Sequence, residues 1–410
     1  MNLVIFKLWY LLYFAANSCL NPFLNVIFRR YGMQEQVIGG IALLRPLIGL
    51  PGGIIFSAVA DKYRKHAVLL LLCLAVSTLM RSMLYYYSSM VSHIIVLVLI
   101  SGATSAPCTT IMDSACSAAC SVEGEAYARQ RMFGAIGWGT FSFVSGSCID
   151  MFGIAAAFIL HGVLMVGTAG PTYKVDFGPL EGKLHAHREH AAQPSFSEKI
   201  YILWSNIDAR VFFFMTLIMG TAVGTIEGFL FLYIEDLGGS SALMGLTLTV
   251  TCVSETIVFY FSSHIINFLG ISRSIHVCFL AFFVRLTAYV SMMYWPSVWF
   301  VLPVELLHGL TFGLTWSVGT KKSQLLSPPG LEATTQSVFQ GCMFGLGYGL
   351  GGLLGGSVYS HIGATATFVV ELCILSLGWI GSAWAEYMLL QPAAPLKPKY
   401  MFFDFIDSFL

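Results

Sequence analysis

The sequence predicts an all-α integral membrane protein of twelve transmembrane helices in two six-helix halves. Three observations carry that expectation: the composition, the length of the apolar runs, and a repeat between the two parts of the chain. Of 410 residues, 57% are hydrophobic and 10% charged, against roughly 25% charged in an ordinary soluble domain. No single soluble core could bury that much apolar surface. A membrane-spanning helix needs about 20 mainly apolar residues. Such runs fall near 5–28, 37–60, 67–88, 92–117, 132–149, 153–170, 210–234, 243–266, 275–294, 297–319, 334–358 and 364–388, separated by Gly, Pro or charge.

The first run has neither a basic start nor a small-residue cleavage site, so it is expected to be a retained helix rather than a signal peptide. With twelve spans, one face of the membrane collects Lys62, Arg64, Lys65, Arg129, Lys174, Lys321 and Lys322 among many others, and the opposite face only Arg29 and Arg30. Excess Lys and Arg mark cytoplasmic loops, so both termini are expected to be cytoplasmic in a multi-pass protein.

Residues 171–205 break the apolar pattern with Pro, His and mixed charge and divide the chain into an N-terminal half, 1–170, and a C-terminal half, 206–390. This stretch reads as a cytoplasmic linker, its His185, His187 and His190 as part of a solvated connector with metal binding or pH sensing as the alternative, and 391–410 as a cytoplasmic tail. Met132-Phe-Gly-Ala-Ile-Gly-Trp-Gly139 matches Met343-Phe-Gly-Leu-Gly-Tyr-Gly349, and each run continues through Gly to Phe158 or Phe368. That is a repeat offset by about 210 residues. Glycines four apart in the eleventh run, Gly341, Gly345 and Gly349 and again Gly347, Gly351 and Gly355, read as close helix packing. Arg131 has Cys342 as its repeat partner, so the fold does not require a cation there and Arg131 is free for function. Trp138 has Tyr348 as its partner, so an aromatic there serves packing, a solute, or both.

Zero net charge gives no reason to expect a nucleic-acid partner. The ten cysteines read as packing residues rather than a disulfide framework. Cys116 and Cys120 lack further ligands at zinc spacing, so no metal is expected, and no cofactor. No nucleophile or phosphate motif stands outside the spans, so an enzyme is not expected. Nothing in the sequence sets the oligomeric state, with which a monomer is compatible.

The charges inside the spans are the chemical content. Arg45, Arg81, Arg285, Asp113, Glu227, Glu255, Glu305 and Glu371 fall within apolar runs. Each costs roughly 2.5 to 3.5 kcal/mol at the bilayer centre, so together they must face one another or a wet cavity between the halves. Glu305 and His308 lie one helical turn apart on one face. A carboxylate beside an imidazole can hold and release a proton, and Arg285 is the nearest cation in sequence to discharge it. A structural hydrogen bond between helices is the alternative for that pair.

Ser57-Ala-Val-Ala-Asp61-Lys-Tyr-Arg64-Lys65 resembles the signature loop of the major facilitator superfamily, with Ser57 in place of the usual first Gly. The resemblance implies two parallel six-helix repeats and a gating role for Asp61 and Arg64. Arg129-Gln-Arg131-Met-Phe-Gly-Ala-Ile-Gly-Trp138 is similar to the fifth helix of the lactose permease and nucleoside–proton symporter group. It implies that Arg131 and Trp138 contact the solute, with Asp113, 18 residues before Arg131, in the place of a binding acid. Ile265-Ile-Asn-Phe-Leu-Gly270 followed by Arg285 resembles the same group's eighth and ninth helices and brings Glu255 into the binding set. The group's His and Glu stand here in swapped order, Glu305 then His308. Phe231-Leu-Tyr-Ile-Glu-Asp-Leu-Gly-Gly239 and Pro303-Val-Glu-Leu-Leu-His308-Gly resemble still more the eukaryotic group called major facilitator superfamily domain-containing protein 6, along nearly every helix.

The expected function is proton-coupled symport of a small sugar- or nucleoside-like solute by alternating access. Asp113, Arg131, Trp138 and Glu255 would bind the solute, and Glu305, His308 and Arg285 would couple protons. A facilitative uniporter, or a receptor or scaffold on a transporter fold, is the alternative. The expected partners are the solute, protons and the lipid bilayer.

Overall fold

A computed structural model describes residues 3–87, 90–178, 180, 201, 203–328 and 331–390. The expected histidines 185, 187 and 190 and the tail from residue 391 lie outside the described residues. Twelve described helices are long and apolar enough to span a membrane: α1 (Val4–Arg30), α2 (Glu35–Tyr63), α3 (His66–Tyr86), α4 (Val91–Glu123), α5 (Tyr127–Phe152), α6 (Ala155–Lys174), α7 (Ile207–Asp236), α8 (Ser241–Leu269), α9 (Ile271–Tyr294), α10 (Val298–Leu326), α11 (Thr334–Ile362) and α12 (Ala364–Met388). Each expected run sits on one of them. Most helices extend a turn past the apolar run, because a helix satisfies its own backbone and continues into the polar headgroup region. The chain therefore folds as expected, all-α, with α1–α6 and α7–α12 as the two halves. Because successive spans alternate in direction, Val4 and Met388 lie at one face, called the terminal face, and the α1–α2 and α7–α8 turns lie at the far face.

The repeat is visible in the backbone. Gly153 closes α5 at φ 80° and Gly363 closes α11 at φ 106°. Each amide bonds four residues back, to Ile149 O at 2.9 Å and to Tyr359 O at 3.0 Å. Glycine reaches this left-handed region without a Cβ penalty, which lets a span reverse within two or three residues.

The halves meet along two glycine seams. On α5 and α8, a Cβ at Gly146 would overlap the carbonyl of Ser241, and one at Gly245 that of Ser142. On α2 and α11, Gly39 and Gly356 face Gly352 O and Glu35 O in the same way. The two glycine rows of α11 take different partners: Gly347, Gly351 and Gly355 lie on α7, while Gly345 and Gly349 lie on α2. With no hydrophobic gain between helices in lipid, such backbone contact supplies the packing. Gly245→Val is expected to hold the seam apart and lower the Tm of the purified protein, with Gly40→Val, which meets open space, as the tolerated control.

Prolines mark where the spans bend. Pro22 sits in a 3-10 turn at Asn21–Phe23, and Pro46, Pro51 and Pro107 lie within α2 and α4. Each removes one ladder hydrogen bond.

Candidate functional site

The site grows from a break in α10. Its first turns, Val301–Glu305, give way to a π-helical stretch at Gly309–Leu314. Pro303 weakens the ladder, and Ser254 of α8 fills the gap. Its hydroxyl donates to Leu306 O and accepts from the Gly309 amide at 3.1 Å. A Cβ at Gly309 would lie 2.5 Å from that oxygen. Such π segments concentrate at functional sites. Here the break aims Glu305 and His308, on either side of it, at α9 and α8.

Arg285 of α9 occupies the centre of the group. Its Nη2 donates to Glu305 Oε2 at 2.6 Å, and its Nε to Tyr289 Oη at 2.7 Å. Tyr289 in turn donates to Glu305 Oε1. The remaining Nη1 reaches Thr311 Oγ1 and His308 Nδ1, both at 3.1 Å. Arg285 and Glu305 are buried, with side chains 5% and 2% exposed. Glu305 and His308 are therefore linked through Arg285. Guanidinium can only donate, so His308 Nδ1 accepts, and its proton is on Nε2. That nitrogen lies 3.9 Å from Glu255 Oε2. The imidazole stacks on Phe312, centroids 5.3 Å apart.

A second group belongs to the N-terminal half. Tyr10 of α1 donates to Asp113 Oδ1 of α4 at 2.7 Å, and Arg131 Nε of α5 lies 3.8 Å from the same oxygen. Tyr127 lies within electrostatic reach of Asp113. The Arg131 guanidinium sits 4.0 Å above the Phe14 ring, a cation–π contact of about 1 kcal/mol. Trp138 stands beside Phe14, ring centres 6.4 Å apart. Asp113 and Arg131 are 36% and 35% exposed, so they present polar atoms to solvent although Tyr10 beneath them is buried. Glu255 lies within electrostatic reach of Arg131 and of Glu227. Glu227, exposed on α7, lies within electrostatic reach of Tyr348.

Six of the seven expected binding and coupling residues thus form a polar series from Asp113 to Glu305, its step from one half to the other being the electrostatic reach of Arg131 to Glu255, while Trp138 lies beside it against Phe14. Asp61 and Arg64 stand apart from it, at the terminal face. Asp61 meets His66 Nε2 at 2.9 Å, and His66 stacks on Phe177, which ties this loop to the segment after α6. Arg64 ends α2 at φ 53°.

Several groups in the site are absent from the expected set. Tyr10, Tyr127, Tyr289 and Ser254 carry no charge, so a search for charges inside apolar runs passes over them. A larger omission lies at the far face. Arg29 of α1 binds Glu235 and, at 2.8 Å, Asp236 of α7. Its Nη2 also donates to Leu232 O at 3.2 Å. Arg30 reaches Glu235 at 2.8 Å, and Asn25 donates to Gly228 O at 2.9 Å. Tyr359 of α11 donates to Asp236. On the other seam, the Asp150 carboxylate of α5 accepts the first amides of α8, Ser241 at 2.9 Å and Ala242 at 2.8 Å. An anion at a helix N-terminus is favoured by the unpaired amides there. Apart from the Tyr359–Asp236 bond, which lies within the C-terminal half, these bonds join the halves, and together they close the far face.

Several known proteins resemble this chain. "Major facilitator superfamily domain-containing protein 6-like" of Mus musculus is 26% identical over 182 residues, 44% of this chain and 30% of that protein. The chain thus matches less than a third of that relative's length, over a shorter stretch than the expected resemblance along nearly every helix. "Maltose permease" of Geobacillus stearothermophilus is 23% identical over 367 residues, covering 89% of this chain and 90% of that one. Among solved structures, that of the nucleoside transporter NupG superposes with a TM-score of 0.79 at 16% identity, covering 96% of this chain and 100% of the other. The family model described as "MFS_1 like family" matches residues 3–370, so the chain belongs to that family.

Proposed function

We propose that the protein carries a small sugar- or nucleoside-like solute across the membrane together with protons, by alternating access, with both termini cytoplasmic. The observation that carries this reading is the polar series joining Asp113 and Arg131 in one half to Glu255, His308, Arg285 and Glu305 in the other. It agrees in kind with a maltose permease and a nucleoside transporter among the similar proteins.

Asp113 accepts and Arg131 donates hydrogen bonds to solute hydroxyls, and Trp138 offers an apolar face to a ring. Glu255 closes on the solute from the opposite half. Coupling follows from the Arg285 group. With Glu305 ionised and held by Arg285 and Tyr289, the proton has left, which fits a conformation closed at the far face. A proton arriving on Glu305 dissolves the ion pair, frees Arg285 and loosens α9 from α10. The His308 Nε2 proton, facing Glu255, links that event to the solute. Asp61 and Arg64 act as a latch at the terminal face when the protein opens to the other side.

Each charge-assisted bond contributes about 1.5 to 3 kcal/mol, so Asp113→Asn and Arg131→Ala are each expected to weaken binding of a cognate sugar or nucleoside to the purified protein at least tenfold. Isothermal titration across a panel of both solute classes measures this. Unchanged affinity in both variants contradicts the assignment.

A further inference from the structure

Glu371 on α12 takes no part in the polar series. It is 2% exposed, and the partners of its two oxygens are threonine hydroxyls of α7: Thr221 Oγ1 at 2.8 Å from Oε1 and Thr225 Oγ1 at 2.9 Å from Oε2. Among the described residues no Lys, Arg or His lies within ion-pair distance of it. The ionisable groups on the helices packed around it are engaged elsewhere. On α9, Arg285 and Tyr289 hold Glu305. On α7, Glu227 lies within electrostatic reach of Tyr348 of α11, and Tyr233 meets Thr365. Tyr359 of α11 donates to Asp236. A buried ionised carboxylate without a cation is costly, and in practice such a group takes up a proton. An acidic side chain inside a membrane bundle is by default functional.

The hydrogen-bond count shows that the pocket accommodates the proton. Each threonine hydroxyl has one proton and two acceptors within reach. Thr221 faces Ile218 O at 2.8 Å as well as Glu371. Thr225 faces Gly351 O of α11 at 3.1 Å as well as Glu371. If Glu371 is ionised, both hydroxyl protons must turn to it. If it is protonated, it donates to one threonine oxygen, and that threonine turns its own proton to the backbone carbonyl. Both arrangements leave every group bonded, so the proton enters or leaves without stranding a polar atom.

We propose that Glu371 is a second proton-binding site of this transporter, separate from Glu305, and that it holds its proton in the conformation closed at the far face. When Glu371 donates its proton to Thr225, that threonine turns from the carboxylate to Gly351 O, which strengthens the bond between α7 and α11, where a Cβ at Gly224 or Gly351 would overlap the facing backbone. Glu227 of α7 and Tyr348 of α11 sit within one turn of that contact. Loading this site therefore acts on how α7 and α11 pack, while loading Glu305 acts on α9 and α10. The inference extends the proton-coupled reading, but its test needs no solute and does not depend on it.

The test is the infrared spectrum of the purified protein at neutral pH, in the region where a protonated carboxyl group absorbs. Wild type minus Glu371→Gln is expected to show a positive band from one carboxylic acid that shifts in deuterium oxide, and Glu305→Gln, taken as control, is expected to retain it. Thr225→Val keeps the acid but removes a hydrogen-bond partner, so the same band is expected to move. It serves also if Glu371→Gln folds poorly. Superimposable protonated-carboxyl bands in wild type and Glu371→Gln, or an unmoved band in Thr225→Val, overturn the proposal. A failed transport assay would leave this result untouched, which keeps the two readings separable.

Discussion

Arg285→Met is expected to cost more stability than the double replacement Arg285→Met with Glu305→Leu. Arg285 supplies bonds to Glu305, Tyr289, His308 and Thr311 at once. Removing it leaves a buried carboxylate with Tyr289 as its remaining donor. Breaking a buried pair from one side costs about 3 to 5 kcal/mol, whereas replacing both members with apolar groups of similar volume is close to neutral. Thermal unfolding of the purified protein should therefore show a large loss of Tm in the single variant and recovery in the double. The double variant should bind solute and yet fail to concentrate it. If single and double variants are equally unstable, the pair is not the coupled unit described here.

Arg29→Ala is expected to release the far face. Arg29 is 19% exposed and holds two carboxylates and a backbone carbonyl, so it is worth more than a solvated pair of about 0 to 1 kcal/mol. Truncating one member of a desolvated charge network costs about 2 to 5 kcal/mol. Every 1.4 kcal/mol is tenfold in population, so the closed state should lose at least tenfold relative to the state open at the far face. Spin labels on Gln36→Cys and Ser360→Cys, both exposed positions on α2 and α11, with the exposed Cys373 replaced by serine, report the separation. Wild type should give one short distance and Arg29→Ala a second, longer one. Because these charges sit at the solvent edge, high salt should act in the same direction. A distance distribution unmoved by Arg29→Ala contradicts a gating role.

The fold was legible because a span is written in one dimension. Twenty apolar residues announce a helix wherever it packs, and the twelve expected runs each sit on one described helix. The charged members of the site were legible for a related reason: Glu305 or Arg285 in lipid has few explanations other than a partner. Their uncharged partners were not, since Tyr289 and Tyr10 look like any interior aromatic until the fold brings α9 to α10 and α1 to α4. The expected Glu305–His308 face assumed a regular helix. The break filled by Ser254 depends on a residue some fifty positions away, which no local pattern reveals. Arg29 and Arg30 read as topology markers, and Glu235 and Asp236 as part of a family resemblance. Their pairing needed the two halves in place. Comparing the halves adds one contrast: Arg81 on α3 stands about where Arg285 stands on α9, but meets Asn17 at 2.6 Å instead of a carboxylate. The buried Arg–Glu pair is built into one half only.

Proton entry through Glu305 is tested most directly by uptake into vesicles that hold the purified protein under an imposed pH gradient. A sugar or nucleoside found to bind should accumulate against its own gradient when the vesicle interior is made alkaline. Glu305→Gln should abolish that accumulation while sparing exchange of solute between the two sides. Uptake indifferent to the gradient, and the same in Glu305→Gln as in wild type, would contradict the account.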